Sequence, residues 1–381
     1  MPSSAGAVIG IDASRNRSGG AKVHLRGILE DSDPLEFGIK EVHVWSYKSL
    51  LDELPSVSWL VKHNPPPLQR SLLQQMWWQY WKLPIEARSV GCDLLLNTDA
   101  GSVCRFQPAV VMSRDMLSYE PGEINRYGFS RARLRLILLR HVQNRSMRLC
   151  EGVIFLTQHA ASVIQQATGR LKRVVVIPHG VSDAFKQATP SREWPVGSGR
   201  IDCLYVSNAA MYKHQWTVVR AVAELRRLGH NIHLTLAGGG SGRAARLLAM
   251  EIRRTDPSGE FVKCLGYVDS KELPALLASA HLFVFASSCE NMPNTLVEAM
   301  AVGLPIACSN RGPMPEVLGD AGVYFDPEDF ISIAKAIDRL IVDSDFRLTC
   351  AARARSTAIR YSWSRCGRET WQFLLTVAGT K

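Results

Sequence analysis

Two glutamates eight residues apart, Glu290 and Glu298, lie in the segment 285–317, FASSCENMPNTLVEAMAVGLPIACSNRGPMPEV. The preceding run HLFVFAS, at 281–287, predicts a buried strand because nearly all of its side chains are apolar. Glu290 then falls in the loop at the carboxyl end of that strand. Ligands bind at this end of the strands in open α/β sheets, so a carboxylate there is placed to accept hydrogen bonds from a bound molecule.

The residues between the two glutamates predict the beginning of a helix. Asn291 suits the N-cap and Pro293 suits the first turn, and the pattern then continues as NTLVEAMAV to a stop at Gly303. Backbone N–H groups at a helix N-terminus attract anions. The turn at 293–296, apart from its proline, is therefore placed to bind a phosphate group.

Glu298 lies four residues after Asn294, so both side chains share one face of the predicted helix. On a face that borders a ligand, the two carboxylate oxygens of Glu298 would accept hydrogen bonds from a ribose diol, while Glu290 would meet another part of the same molecule. Two acids repel a bare diphosphate, so a cation is required nearby. Lys213, in the predicted strand–loop–helix segment at 204–222, is the candidate, and a solvated loop lysine is the alternative.

The elements that must position these residues form two similar series. Apolar runs followed by helical patterns predict six strands in each half of the chain, and continuous apolar strands alternating with helices predict parallel sheets covered on both faces. The predicted fold class is α/β, with two doubly wound Rossmann-like domains. The segment QATPSREWPVGSG, at 187–199, has no apolar period and is the predicted linker. Gly19 and Gly20 follow the first strand, as ligand-contacting glycines or as part of a plain turn.

Composition limits the class of protein. The 381 residues are 46% hydrophobic and 21% charged, which is typical of a globular protein with two domains. The formal charge of +10 suits a polyanionic partner: nucleic acid, an anionic membrane or a phosphorylated substrate. Nine singly placed cysteines predict reduced thiols in a cytoplasmic protein, and neither a signal peptide nor a membrane span is predicted.

Several segments, in order, resemble the family 4 glycosyltransferases, and the resemblance spans nearly the whole chain. They are the Glu290-x7-Glu298 signature, VVVIPHGVSDAF at 174–185, LYVSNAAMYKHQ at 204–215, LPALLASAHLFVFAS at 273–287 and YSWSRCGRETWQFLL at 361–375. The resemblance implies the GT-B fold, in which two Rossmann-like domains face a central cleft. It implies an acceptor domain at 1–187, a nucleotide-sugar domain at 199–360, and a C-terminal helix at 361–381 that crosses back to the first domain.

The resemblance also implies an activity, namely retaining transfer of a sugar from a nucleotide-diphosphate-sugar without metal or cofactor. Glu290 would contact the transferred sugar, Glu298 the ribose and Lys213 the diphosphate. The remaining implied donor contacts lie in three loops: Met292, Pro293, Asn294, Thr295 and Leu296; Gly266, Tyr267 and Val268 beside the base; and Asn208 in the phosphate loop. Gly19 and Gly20 are substrate-contacting candidates on their position after the first strand alone.

The sequence departs from the family pattern at two places. The phosphate loop has Ser207-Asn208-Ala209 where relatives carry an arginine, so one cation is missing. After the fourth strand predicted in the first half, Arg114 and Asp115 stand where many relatives have a histidine. We expect Arg114 or Asp115 to contact the sugar or the acceptor. The alternative is that Arg114 pairs structurally with Asp115 or Glu120.

Four other patterns receive weaker interpretations. The Asp-Ser-Asp steps at 31–33 and 343–345 are interpreted as solvated turns rather than metal sites. The aromatic segment at 71–88 is interpreted as a core helix, with a lipid-facing surface as the alternative. The arginine-rich segment at 131–148 is either a solvated helix or one that docks on anionic lipid. His159 and His179 are expected to make local contacts or to line a cleft.

The sequence thus predicts a cytoplasmic hexosyltransferase of family 4 type. Its acceptor would be a glycan or a lipid-linked molecule of cell-surface polysaccharide or lipopolysaccharide synthesis. Peripheral contact with the inner face of a membrane is an open possibility, and no nucleic-acid partner is expected. Two alternatives stay open: a nucleotide-sugar 2-epimerase of the same fold, and a non-catalytic nucleotide-sugar-binding protein.

Overall fold

The computed structural model describes residues 6–17 and 19–379, and these divide into two compact units. Unit 1 comprises the chain up to Gly180 together with the segment from Tyr361 onward, and unit 2 comprises Val181–Arg360. The division at Gly180 precedes the linker predicted at 187–199. Each unit contains its own sheet, and every strand pair in both sheets is parallel.

Unit 1 contains a seven-stranded sheet in the order β3-β2-β1-β4-β5-β6-β7. Its strands are β1 (Ala7–Asp12), β2 (Ile39–Trp45), β3 (Leu60–His63), β4 (Leu94–Asn97), β5 (Ala109–Met112), β6 (Gly152–Phe155) and β7 (Val174–Val176). The helices between them are α1 (Gly19–Glu30), α2 (Lys48–Leu51), α3 (Leu72–Trp77), α4 (Leu83–Ser89), α5 (Arg131–Leu149) and α6 (Gln158–Thr168).

Unit 2 contains a six-stranded sheet in the order β10-β9-β8-β11-β12-β13. Its strands are β8 (Ile201–Val206), β9 (Ile232–Ala237), β10 (Val262–Gly266), β11 (Leu282–Phe285), β12 (Ile306–Ser309) and β13 (Val323–Phe325). Its helices are α7 (Asp183–Gln187), α8 (Gln215–Arg227), α9 (Gly242–Thr255), α10 (Leu273–Ala278), α11 (Asn294–Val302), α12 (Met314–Leu318), α13 (Phe330–Val342) and α14 (Ser344–Ala358).

The central strands are buried on both faces, which accounts for their continuous apolar sequences. All four residues of β4, β5, β6, β11 and β12 are buried. Burying one Val, Leu or Ile side chain contributes about 1.5–3 kcal/mol, so the sheet centres carry much of the folding free energy. The strand order reverses between β1 and β4 in unit 1 and between β8 and β11 in unit 2. Loops diverge at such a reversal, and in this class of sheet ligands bind there.

The twelve predicted strands are all present, and the α/β prediction of two doubly wound sheets is confirmed. One strand, β3, was not predicted. It is a four-residue edge strand in which Lys62 and His63 interrupt the apolar run, and its last three residues are only half-buried. An edge strand has one sheet neighbour, so it lacks the continuous apolar sequence of a central strand.

Two predictions about helices need correction. Helix α11 begins at Asn294 and is preceded by Pro293, so Asn291 is not its N-cap. Pro293 has no N–H to donate, and Asn294 N instead closes a tight turn by donating to Met292 O (3.0 Å). The stop at Gly303 is confirmed, because this residue has the left-handed conformation (φ 85°) that glycine adopts without strain.

The aromatic segment at 71–88 is only partly a core helix. It runs as α3, a π-helical turn at Trp78–Lys82 and α4, and α3 contains no buried residue. Trp78 and Leu83 are buried, whereas Trp77 and Trp81 are about half exposed. An insertion of π geometry shifts the angular phase of the side chains, so a single 3.6-residue period does not describe this segment.

The final described helix, α15 (Trp363–Ala378), packs on α1 within unit 1, as predicted for the C-terminal helix. Trp363 and Trp371 face unit 1, and Trp371 Nε1 donates a hydrogen bond to Ser32 Oγ (2.8 Å). Close approach requires small residues on α1: a Cβ added at Gly27 would lie 2.3 Å from the Trp363 ring. The two helices therefore fit together only because Gly27 has no side chain.

We predict that Gly27→Ala destabilises the protein by about 1–3 kcal/mol, the usual cost of overpacking a core. Gly19→Ala is the matched control in the same helix, because no atom lies within 4 Å of a Cβ built there. The measurement is urea denaturation of both variants. Equal stability of Gly27→Ala and Gly19→Ala would contradict the packing of α15 on α1 described here.

Candidate functional site

In unit 2, Lys213 and Glu290 form an ion pair at the carboxyl edge of the sheet. Lys213 ends a short 3-10 turn after β8, and Glu290 lies in the loop after β11, so they come from the two strands at which the sheet order reverses. Their side chains are 13% and 14% exposed. Partial burial strengthens the attraction relative to a pair in open solvent, and it keeps both charges within reach of a ligand.

Hydrogen bonds between the two loops hold this pair in position. Tyr205 OH donates to Lys213 O (2.7 Å), and Ser288 N donates to Tyr212 O (2.8 Å). His214 adopts a left-handed conformation (φ 46°) and its Nε2 lies 2.9 Å from Ser288 Oγ. A non-glycine residue in that conformation costs about 1–3 kcal/mol, so the surrounding contacts must stabilise it. The turn directs Lys213 toward Glu290.

Helix α11 begins at the same edge, immediately beyond Glu290. The first turn of an α-helix leaves backbone N–H groups without intrahelical acceptors, and these give the N-terminus a partial positive charge. Thr295 Oγ1 donates to Val206 O at the end of β8 (3.3 Å), which fixes the helix against the reversal point. Met292, Pro293 and Leu296 are buried, so in this turn the protein offers chiefly backbone groups to a ligand.

Glu298, one turn further along α11, carries a buried carboxylate oxygen. Its residue is half-buried as a whole, but Oε2 is buried and has no hydrogen-bond partner among the described residues. Burial raises the pKa of Glu298 to about 7. An unsatisfied buried acceptor costs about 1–3 kcal/mol, and a ligand hydroxyl that donated to this atom would recover that free energy.

Two glycines after β9 bring a third loop against this region. A Cβ at Gly238 (φ 130°) would lie 2.2 Å from Ser207 O, and one at Gly240 would lie 2.4 Å from Ala209 Cβ. Gln215 Nε2 donates to Ser207 O (2.9 Å) and thereby fixes the same loop. Sequence reasoning missed these residues, although the Gly-Gly-Gly run at 238–240 was the available signal.

The other predicted donor contacts of unit 2 lie in the loops after β8 and β10, at the carboxyl edge of the sheet. Asn208 is exposed in the loop after β8. Gly266 (φ 69°) ends the edge strand β10 and its O accepts from Gly238 N (2.7 Å), while Tyr267 is exposed and Val268 half-buried. The Tyr267 ring is 81% exposed, so its face is open to stacking by a ligand.

In unit 1, Arg114 lies beyond the end of β5 and is held by a buried amide. Arg114 Nη2 donates to Asn16 Oδ1 (2.7 Å), which also accepts from Thr98 Oγ1 (2.8 Å), and Asn16 is fully buried. Arg114 Nη1 is buried with no partner among the described residues. Burial lowers the pKa of Arg114, although the nearby Asp99 opposes this. Neither Asn16 nor Thr98 was predicted as part of a site.

The proposed structural pairing of Arg114 with Asp115 or Glu120 is wrong. Asp115 Oδ1 accepts from Leu117 N (3.0 Å), and burial raises the pKa of Asp115. Glu120 Oε2 lies 2.9 Å from His159 Nε2. The amide of Asn16 therefore positions a partly buried guanidinium, and a charge desolvated in this way favours an anionic or strongly accepting ligand.

Gly19 and Gly20 begin α1 and are exposed, and a Cβ at Gly19 would meet no atom within 4 Å. Ser18, which immediately precedes these glycines, lies outside the described residues. His179 stacks on His24 with ring centroids 4.5 Å apart, which places it in the local packing of unit 1. One aspartate of each Asp-Ser-Asp step is a helix N-cap. Asp33 accepts from Leu35 N (2.9 Å) at a 3-10 helix, and Asp343 accepts from Phe346 N (3.0 Å) at α14.

Two absences concern only the part of the chain that the structure describes. No group of three or more His, Cys, Asp or Glu side chains there is placed to hold a metal ion. None of the helices there is both long enough and apolar enough to cross a bilayer.

The chain is similar in sequence to known glycosyltransferases. Residues 187–357 match the family described as Glycosyl transferases group 1. The chain is 38% identical over 110 residues to O-antigen chain mannosyltransferase B of Escherichia coli, covering 29% of each chain. It is 24% identical over 280 residues to 2-deoxystreptamine glucosyltransferase of Streptomyces kanamyceticus, covering 70% of this chain and 66% of that protein. The chain thus spans less than two thirds of the length of these relatives.

Solved structures extend the similarity of fold to both units. Sucrose-phosphate synthase from Thermosynechococcus elongatus matches with a TM-score of 0.78 at 17% identity, over 98% of this chain and 100% of that one. The Anabaena protein HepE, in complex with UDP and glucose, matches with a TM-score of 0.71 at 20% identity, over 97% and 100%. The fold is therefore that of the GT-B glycosyltransferases.

The pKa of Glu298 predicts how stability depends on pH in the absence of ligand. A carboxyl whose folded pKa is raised binds more protons in the folded state, so stability falls as pH rises from about 4.5 through about 7 and is level above that. We expect Glu298→Gln to remove this loss, and to be more stable than the wild type by up to about 3 kcal/mol near pH 8.

The measurement is urea denaturation at about pH 5 and about pH 8. Glu272→Gln, which changes an exposed carboxylate of unit 2, is the control and is expected to keep the loss of stability seen in the wild type. If Glu298→Gln also kept that loss, the carboxylate would not be desolvated as described.

Proposed function

We propose that the protein is a retaining glycosyltransferase of the family 4 type. In this proposal it moves a hexosyl group from a nucleotide-diphosphate-sugar to a glycan or lipid-linked acceptor. The match of residues 187–357 to the glycosyl transferases group 1 supports sugar transfer. The observation that carries the proposal is Glu298 Oε2, which is buried one turn into α11 with no hydrogen-bond partner among the described residues, on the helix that begins just after Glu290 of the Lys213–Glu290 pair.

Each residue of the unit 2 site has a role in this proposal. The N-terminus of α11 would bind the diphosphate, and Lys213 would exchange Glu290 for a phosphate oxygen. This exchange would leave Glu290 to accept hydrogen bonds from hydroxyls of the transferred sugar, while Glu298 binds the ribose diol. As the sugar–phosphate bond breaks, negative charge grows on the leaving diphosphate, and a cation and helix N–H groups fixed beforehand stabilise that charge.

Unit 1 would bind the acceptor, with Arg114 and Asp115 contacting the acceptor or the transferred sugar. The Arg114 guanidinium donates to Asn16 through Nη2, and its Nη1 is buried with no partner in the described part of the chain, so it is already oriented and loses little entropy on binding. The E. coli relative is an O-antigen chain mannosyltransferase, and this similarity favours an acceptor in cell-surface polysaccharide synthesis.

Nucleotide binding tests the donor site directly. We expect one of GDP, UDP, dTDP and ADP to raise the melting temperature of the wild type, because a ligand at 100 times its Kd stabilises by about 2.7 kcal/mol. Glu298→Ala should lose most of the shift because it removes the ribose acceptor, whereas Glu272→Ala should keep it. If no nucleotide or nucleotide-sugar stabilises the wild type, the transferase proposal fails.

Turnover separates the roles of the two units. Lys213→Ala should lower kcat by about 10²–10³, the effect of removing one fixed charge from a transition state, while the exposed Lys271→Ala keeps the wild-type rate. Arg114→Ala should weaken use of the acceptor and leave the nucleotide-induced shift in melting temperature unchanged.

The anomeric configuration of the product, read by NMR, tests whether the transfer retains configuration. An epimerised free sugar formed without acceptor would favour the 2-epimerase instead.

A further inference from the structure

An exposed apolar face on unit 1 has no role in the site described above. The aromatic segment, residues 71–88, presents large apolar side chains to solvent: Leu73 is 78% exposed, Trp77 53% and Trp81 52%. Trp77, Trp81 and Ile85 are spaced four residues apart, so the face follows the helix axis through the π-helical turn. Contiguous exposed apolar surface of this kind marks a binding surface.

Helix α5 presents a second exposed face, and this one combines leucines with cations. Its nineteen residues include no Asp or Glu, and only Gln143 and Met147 are buried. At 100° per residue, Arg131, Leu134, Leu138 and Arg145 fall on one side of the helix, and all four are exposed.

One cavity joins these two surfaces. It has a volume of about 510 Å³ and is lined by Tyr80 of the aromatic segment, by Arg105, and by Val142, Arg145 and Leu149 of α5. The Arg105 guanidinium lies 5.0 Å from the centre of the Tyr80 ring, so it is held against the aromatic segment. The exposed side of α5 therefore borders the same opening as the aromatic segment, and the two make one continuous face, here called the aromatic–arginine face.

We propose that the aromatic–arginine face docks unit 1 on an anionic lipid bilayer. Tryptophan favours the interfacial region of a bilayer, where its ring is buried and its N–H stays hydrated. Leucines of an amphipathic helix enter the acyl boundary, and arginines on the same side bind phosphate headgroups. The partner must be anionic, because α5 supplies cations and no acids.

Charge argues against a second copy of the chain as the occupant. A symmetric contact through this face would place α5 arginines against α5 arginines, and like charges in a contact cost free energy. The proposal is independent of sugar transfer, since it rests on surface residues that the donor and acceptor sites do not use.

The experiment is co-sedimentation of the full chain with vesicles of phosphatidylcholine, with and without phosphatidylglycerol. We expect strong binding only with phosphatidylglycerol present, weakened by salt, together with a blue shift of tryptophan emission. Arg131→Gln/Arg145→Gln should lower the partition coefficient about 25-fold, because each of the two cations near an anionic surface contributes about a fivefold factor. Arg253→Gln/Arg368→Gln is the control: it removes the same charge from exposed positions on α9 and α15 and should bind as the wild type does.

Apolar insertion is tested by Trp77→Ala/Trp81→Ala and by Leu73→Glu, and both are expected to reduce binding and the emission shift. Leu73 is largely in solvent, so its variant should keep the melting temperature of the wild type even if loss of the tryptophans perturbs the fold. Absence of binding to anionic vesicles would overturn the proposal, as would equal losses in the arginine variant and its control. Self-association that these variants abolish, without vesicle binding, would assign the face to a second copy instead.

Discussion

The ion pair between Lys213 and Glu290 depends on the reversal of strand order in the second sheet, and much of the site depends on that pair. β8 and β11 are hydrogen-bonded neighbours, so their following loops leave from adjacent points and then diverge. Divergence leaves room for α11 to begin between the loops, with its positive end at the edge of the sheet. A cation, an anion and a helix N-terminus are thus brought together by topology alone.

The pairing of Lys213 with Glu290 also stabilises the protein without ligand. A half-buried Glu290 or Lys213 without its partner would pay a desolvation penalty, and the pair reduces that penalty in the protein without ligand. A bound diphosphate would have to displace the Glu290 carboxylate from Lys213. Affinity for such a ligand is then a difference between two ionic interactions, which favours exchange over very tight binding.

The sequence was sufficient for the strands and for the class of fold, because central parallel strands must be apolar on both faces. It was insufficient for β3, whose edge position removes that requirement, and for the start of α11, where the proline closes a turn before the helix begins. The π-helical turn at Trp78–Lys82 changed the face that the aromatic segment exposes, and local periodicity contains no signal for such an insertion.

The site was predictable in its residue types and not in its pairings. The positions of Glu290 and Lys213 at the ends of strands followed from the pattern, but their contact joins residues 77 apart in the chain. Asn16, which positions Arg114 across 98 residues, carries no local pattern at all. Both contacts are consequences of which strands become neighbours, and a single sequence specifies that order only through the whole fold.

The packing of α15 on α1 has a consequence for the order in which the chain folds during synthesis. Unit 2 is continuous, from Val181 to Arg360, whereas unit 1 is interrupted by it and resumes at Tyr361. A ribosome releases the whole of unit 2 before it makes the helix that covers α1. Unit 2 can therefore complete its core first, while the surface of α1 that Trp363 and Trp371 later cover stays open until α15 emerges. During that period a chaperone would find apolar surface to bind.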